Sequence, residues 1–261
     1  MENVYFSTLA YLVVYSFLGW VLETIFRSIC EKKIINTGFL YGPFCPIYGV
    51  GAIIMLFGLN NFKGKYLLVF LISFIVLTLW EYLVGWLLEK VFKTKYWDYS
   101  DHKFNFKGRI CLTNSIFWGI LGVLFINVIH PIVQNLMLKI NIVWLKYIIY
   151  ALTCIITIDF IISVIKLNNI KSALEKVESI NKEIKEKLKE IKELGKGPDK
   201  EKIKENIQSV VDNLKRKRNM IIRRLYRHVY RLKKAFPAIN TKEITEILNK
   251  KIEFKKTNNK K

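Results

Sequence analysis

The stretch YLLVFLISFIVLTLWEYLVGWLL, residues 66–88, decides the fold class: it runs 23 residues with one charge, Glu81. A helix needs about 20 mostly apolar residues to cross the hydrocarbon of a bilayer. Four more runs of that kind flank it, at about residues 4–26, 39–59, 110–130 and 142–165. The alternative is a very hydrophobic soluble bundle. Four of the five runs carry almost no charge, which weighs against it. The expectation is an all-α integral membrane protein with five transmembrane helices.

Charge is segregated along the chain. The 261 residues are 52% hydrophobic, yet the formal net charge is +21. Residues 1–165 hold 13 Lys/Arg and 8 Asp/Glu, and residues 166–261 hold 29 and 13. This shift divides the chain into a transmembrane domain, 1–165, and a basic tail, 166–261, expected to be cytoplasmic and helical. Met-Glu-Asn carries no positive charge and the first apolar run is long, so that run reads as an uncleaved anchor.

Cytoplasmic loops collect Lys and Arg. With the tail inside and five spans, the two inward loops, 27–37 and 89–109, carry nine positive charges. The two outward loops, 60–65 and 131–141, carry three. The N-terminus is therefore expected outside and the C-terminus in the cytoplasm.

The run 66–88 ends in an internal echo. GWLLEKVF, residues 85–92, matches GWVLETIF, residues 19–26, at five of eight positions. Further on, Gly38, Tyr48 and Gly49 align with Gly108, Trp118 and Gly119. Two spans per copy means that both copies cross the membrane in the same direction, a parallel repeat. A chance match of apolar stretches is the alternative. The repeat puts Glu23 and Glu89 at equivalent cytoplasmic ends, with Glu81 two turns deeper, where an uncompensated carboxylate is expensive. Asp159 lies about two turns inside the last run. Arg109, opening the fourth, is the natural partner for these acids, with Glu81 or Glu23 as its counter-charge. Structural pairing and substrate binding are both open.

GFLYGPFCPIYGVGA, residues 38–52, holds Pro43 and Pro46 among glycines. A broken or late-starting helix lining a cytoplasmic-side vestibule would explain them, with Tyr41 and Cys45 projecting into it. Alternatively both prolines sit in the first turn of an ordinary helix. The inward loop 89–109 gathers Trp97, Asp98, Tyr99, Ser100 and Asn105 beside Arg109. The four cysteines form no Cys-x-x-Cys pair and the three histidines are scattered, so no metal or cofactor is expected. No His lies near Cys45 to activate it as a nucleophile.

GFLYGPFCPIYGVGA, WEYLVGWLLE, WDYS and N-x-x-GRICL-x-x-S-x-x-WG, the last containing Ser115, resemble the Putative ABC-transporter type IV family, the CmpB-like permeases. The resemblance covers about residues 6–165, and RLKKAFPAIN in the tail is similar to the family's C-terminal part. It implies a bacterial cell-membrane protein of permease type and brings no substrate. The chain has no Walker A sequence, so an ATP-driven role needs a separate ATPase chain. Two other readings remain open: an intramembrane enzyme acting on a lipid-linked substrate through Glu81 and Arg109, and a scaffold that recruits partners through its tail.

In the tail, Leu167, Ile170, Leu174, Val177, Asn181, Ile184, Leu188 and Ile191 form a coiled-coil-like seam across 167–194. GKGP, 195–198, breaks it. A second stripe follows: Ile203, Ile207, Val210, Leu214, Ile221, Leu225 and Leu232. The expectation is a helical hairpin, folded on itself or pairing subunits in a homo-oligomer. Residues 215–234 hold ten Lys/Arg and no acid. Lys215, Arg216, Lys217, Arg218, Arg223, Arg224, Arg227 and Arg231 are the candidates for anionic lipid head groups. Nucleic acid is the less favoured partner, because no recognition motif accompanies the charge.

Overall fold

The computed structural model describes residues 4–30, 32, 34–92, 95–194 and 198–236, without the side chains of 171, 198, 199, 227, 228 and 232. The described chain is all-α apart from one small hairpin. Its helices are α1 (Val4–Cys30), α2 (Pro46–Leu59), α3 (Tyr66–Phe92), α4 (Leu112–Leu124), α5 (His130–Leu138), α6 (Ile142–Glu193) and α7 (Pro198–Ala235). Two-residue strands β1 (Asn105–Phe106) and β2 (Ile110–Cys111) pair antiparallel between α3 and α4. The chain divides into two compact units, residues 4–164 with 234–236, and residues 165–233.

Four helical runs are long and apolar enough to cross a membrane: Val4–Cys30, Tyr66–Phe92, Leu112–Leu138 and Ile142–Glu193. The second expected run does not form one long helix. Residues 38–45 stay irregular, and α2 has only 14 residues, followed by one 3-10 turn to Phe62. Proline explains where it starts. Pro46 takes the first helical turn, where no backbone donor is needed, and Pro43 stays outside the helix. The helix therefore starts late, and only one of the two prolines serves the first turn.

In the first unit α1 packs mainly on α2, and α3 on α4. Gly19 of α1 lies directly against the Tyr48 side chain of α2, with no room for a Cβ. The core joins Phe6, Ala10 and Tyr15 to Met55, Val69, Ile126 and Ile149.

The expected outward loop 131–141 is mostly helix instead, as α4 continues into α5 through a π turn at Phe125–Ile129. Pro131 follows two residues after it, and its missing N–H removes one ordinary helical bond. A wider turn absorbs such a defect without ending the helix. The Asn127 amide binds Val123 O at 2.9 Å and accepts from Gly64 N at 2.8 Å, bracing the turn from the α2–α3 connection. His130, just after it, is buried and hydrogen-bonded to Tyr15 Oη at 2.7 Å.

In the second unit the late part of α6 folds back on α7. Ile180 and Ile184 meet Ile207 and Val211, with Leu214 and Ile221 packed alongside. The α7 stripe is corrected in part: Ile207 and Leu225 are buried as expected, Val211, Ile222 and Val229 join them, and Ile203 and Val210 are exposed, while the Leu232 side chain lies outside the described residues. Positions 207, 211, 214, 218, 221 or 222, 225 and 229 carry the packed face, at spacings of three and four residues. Arg218 falls on that stripe and donates to Asn181 Oδ1, the polar seam residue, at 3.0 Å. Of the other basic candidates, Arg216, Lys217, Arg223 and Arg224 are exposed; the Arg227 side chain lies outside the described residues.

Candidate functional site

The polar residues of the first unit gather where α1 and α3 finish. Glu81, directly after Trp80 and buried at 8% exposure, is the deepest acid. It accepts three hydrogen bonds: from Tyr99 Oη at 3.1 Å, Asn114 Nδ2 at 3.1 Å and Trp118 Nε1 at 2.9 Å. Asn114 also donates to Tyr99 Oη at 2.6 Å. Asn114 and Trp118 are four residues apart, so they share one face of α4, turned to α3. Tyr99 comes back from the loop. Burial, then the neighbouring Glu81 charge, pushes its phenol well up, so it stays protonated and donates.

Glu23 on α1 accepts from Tyr48 Oη of α2 at 2.5 Å. The Tyr48 ring lies 5.9 Å from the Trp118 ring, joining the two carboxylates through aromatic donors on α2 and α4. Among the described residues no Lys or Arg forms an ion pair with Glu23 or Glu81. The arrangement is thus acidic and held by neutral donors, suited to attract a cation or keep a proton.

Arg109 belongs to a different group. Its Nε and Nη2 both lie 2.8 Å from Glu89 Oε2, and its Nη1 donates to Tyr82 Oη at 3.2 Å. Glu89, not Glu81 or Glu23, is its counter-charge. Arg109 sits at the end of the hairpin and Glu89 near the end of α3, so the short reach goes to the shallower acid. Trp97 locks the junction by donating to Arg109 O at 2.9 Å, over Gly85.

Asp159 fixes the irregular segment. It accepts from the backbone N–H of Tyr41 at 3.1 Å and of Gly42 at 2.7 Å. Residues outside a helix leave such donors without partners, and a carboxylate supplies them. A Cβ at Gly42 would lie 3.2 Å from Asp159 Oδ2, so glycine permits the approach. Cys45 N donates to Ser16 O at 2.8 Å, and the Cys45 side chain is buried. Tyr41 is half-buried and Pro43 exposed.

The remaining sequence candidates act locally. Asp98 accepts from Ser100 N and Oγ and pairs with Lys95 at 3.1 Å. Partial burial works against its charge, but the Ser100 and Lys95 bonds prevail and hold its carboxyl below the usual range. Asn105 ties Ser100 O, His102 O and Gly108 N, which shapes the hairpin. Ser115 Oγ donates to Cys111 O at 3.1 Å within its own helix start. The structure therefore brings Glu81 and Tyr99 together, with Glu23 joined to them through Tyr48 and Trp118, and it sets Arg109 and Asp159 apart. Asn114 and Tyr82 were missed in the sequence, and Tyr48 and Trp118 stood there only as counterparts in the repeat, not as site residues. The usable signal was the Asn114–Trp118 spacing opposite an acid in an apolar run.

Residues 10–164 match the family described as Putative ABC-transporter type IV, which takes in the polar group and ends where the second unit begins. No curated protein and no solved structure matches. The match covers more than half of the chain, and the chain belongs to that family.

Proposed function

We propose that this chain, as a member of the Putative ABC-transporter type IV family, is the membrane-spanning component of a transport system. The Glu23–Tyr48–Trp118–Glu81 group would line a vestibule open to the cytoplasm. The observation that carries the reading is Glu81. A carboxylate buried in an apolar helix, held by three neutral donors and facing a second acid, is costly as mere packing. Such groups in membrane bundles mark paths for ions and polar solutes.

The same reading makes α2, extended by residues 38–45, the second of five crossings, with the N-terminus outside. The packed pairs α1–α2 and α3–α4 would then be the two copies of a parallel repeat. A separate ATPase chain supplies the energy, and exposed Arg216, Lys217, Arg223 and Arg224 meet anionic head groups. The cell membrane of a bacterium is the expected setting.

The test is purification of the full chain from its native membranes in mild detergent, followed by identification of co-purifying chains. A nucleotide-binding chain that co-purifies, with ATP hydrolysis altered by Glu81→Gln at unchanged assembly, supports the reading. Purification without such a chain, and no effect of Glu81→Gln on any ATP-dependent flux in vesicles, overturns it.

A further inference from the structure

The hairpin between α3 and α4 presents two aromatic rings that the polar group does not use. Phe104 is 80% exposed and Phe106 54% exposed. Exposed Lys103 and Lys107 flank them, and the Lys107 ammonium sits 5.5 Å from the Phe106 ring centre. The backbone is built to hold this display. Phe104 and Lys107 both have positive φ, 53° and 55°, a conformation that bulky residues rarely adopt. It persists here because Asn105 ties three backbone groups and Leu112 N donates to Phe104 O at 3.3 Å. Strain maintained by so many bonds points to a use.

The hairpin does not project beyond α3. The Phe106 ring lies 5.6 Å from that of Tyr82, ten residues before the helix end at Phe92. At 1.5 Å per residue that is about 15 Å back along the helix. On α3 the neighbouring Leu79, Leu83, Trp86 and Leu87 are exposed apolar side chains. Phe106 therefore continues the apolar surface of a membrane-length helix, and Phe104 is exposed two residues before it. Asp101 is also exposed on this loop, whereas Asp98 is occupied by Lys95 and Ser100.

We propose that this hairpin is an interfacial wedge. Phe104 and Phe106 enter the acyl boundary of the bilayer, and Lys103 and Lys107 reach anionic head-group phosphates. Apolar rings with basic neighbours settle at that boundary, the rings in the acyl edge and the ammonium groups in the phosphate layer. The consequence is that the loop shaping the Glu81 and Arg109 groups is clamped to the membrane surface.

The test uses the full chain in phosphatidylglycerol-containing vesicles. Cys30 and Cys154, the exposed cysteines, are replaced by Ser, and buried Cys45 and Cys111 remain. A bimane label is placed by Phe104→Cys, and separately by Lys103→Cys and Asp101→Cys. The expected result is a blue-shifted label at 104, quenched several-fold more by spin-labelled lipid than by iodide, with the label at 101 showing the reverse. The label at 103 should lie between them, and Lys107→Gln should weaken lipid quenching in anionic but not in neutral vesicles. A label at 104 open to iodide overturns the proposal. So does one shielded from both quenchers, which would mean that a protein surface covers the hairpin. Should Phe104→Cys fail to fold, the 103 label decides by the same comparison.

Discussion

Replacing Asp159 tests how the irregular segment before α2 is held. Its two carboxylate oxygens accept from Tyr41 N and Gly42 N, and Ser163 Oγ adds a weaker bond at 3.3 Å. A hydrogen bond to a charged group contributes about 1.5–3 kcal/mol. Two such bonds in a half-buried setting place the loss for Asp159→Ala at about 2–4 kcal/mol, mostly from donors left without partners. Asp159→Asn keeps one acceptor oxygen and should lose roughly half of that. Ser163→Ala should cost well under 1 kcal/mol. For a unit of this size the Ala variant should melt roughly 5–10 °C lower. The assay is apparent melting in one detergent, together with the alkylation rate of Cys45, the buried last residue of the segment. The Ala variant should expose Cys45 and accelerate its alkylation. An Ala variant that melts with the wild type and leaves Cys45 unreactive refutes the assignment.

Three other outcomes follow from distances already given. Arg109→Gln and Glu89→Gln should be strongly non-additive, with a coupling of about 1–3 kcal/mol in a double-mutant cycle on melting. Arg109→Gln with Glu81→Gln should add. Strong coupling to Glu81 would undo the partner assignment. Gly19→Ala has no space against Tyr48 and should cost about 1–3 kcal/mol or more, whereas Gly58→Ala, with nothing within 4 Å, should be neutral or slightly stabilising in the same melt. Asp98 has its carboxyl depressed on folding. Its contribution is therefore full above the unfolded value of about 3.9 and is lost as pH falls through the lower folded value. Protease sensitivity of the 95–109 loop should rise only below about pH 4, and Ser100→Ala should move that onset upward.

The membrane-length helices were legible because an unbroken apolar run needs no partner to be recognised. The late start of α2 was only half legible, since a proline in the first turn and a proline outside the helix look alike in a string of residues. Asp159 was recognised as an acid near a helix end, but its partners are two backbone N–H groups 117 and 118 residues away, which no side-chain pattern records. Arg109 was correctly marked as needing an acid. Choosing Glu89 over Glu81 required the depth of the hairpin, which side-chain spacing does not carry. Tyr48 and Trp118 were noticed as counterparts in the repeat. That both donate to carboxylates emerged only from the packing of α1 on α2 and α3 on α4.

The π turn at Phe125–Ile129 amounts to one residue more than a regular helix would hold there. Its influence lies in counting, not in chemistry. Each residue of an α-helix turns the chain by about 100°. Remove one of the five, and the segment can close as a regular α-helix with the downstream faces kept. Remove a residue from α5 itself, and everything after it swings by that angle: Val133 and Met137, now buried, would turn away from the core. A three-base deletion in the coding sequence of the π turn is thus the more tolerable one, because the turn already holds the residue that can be spared.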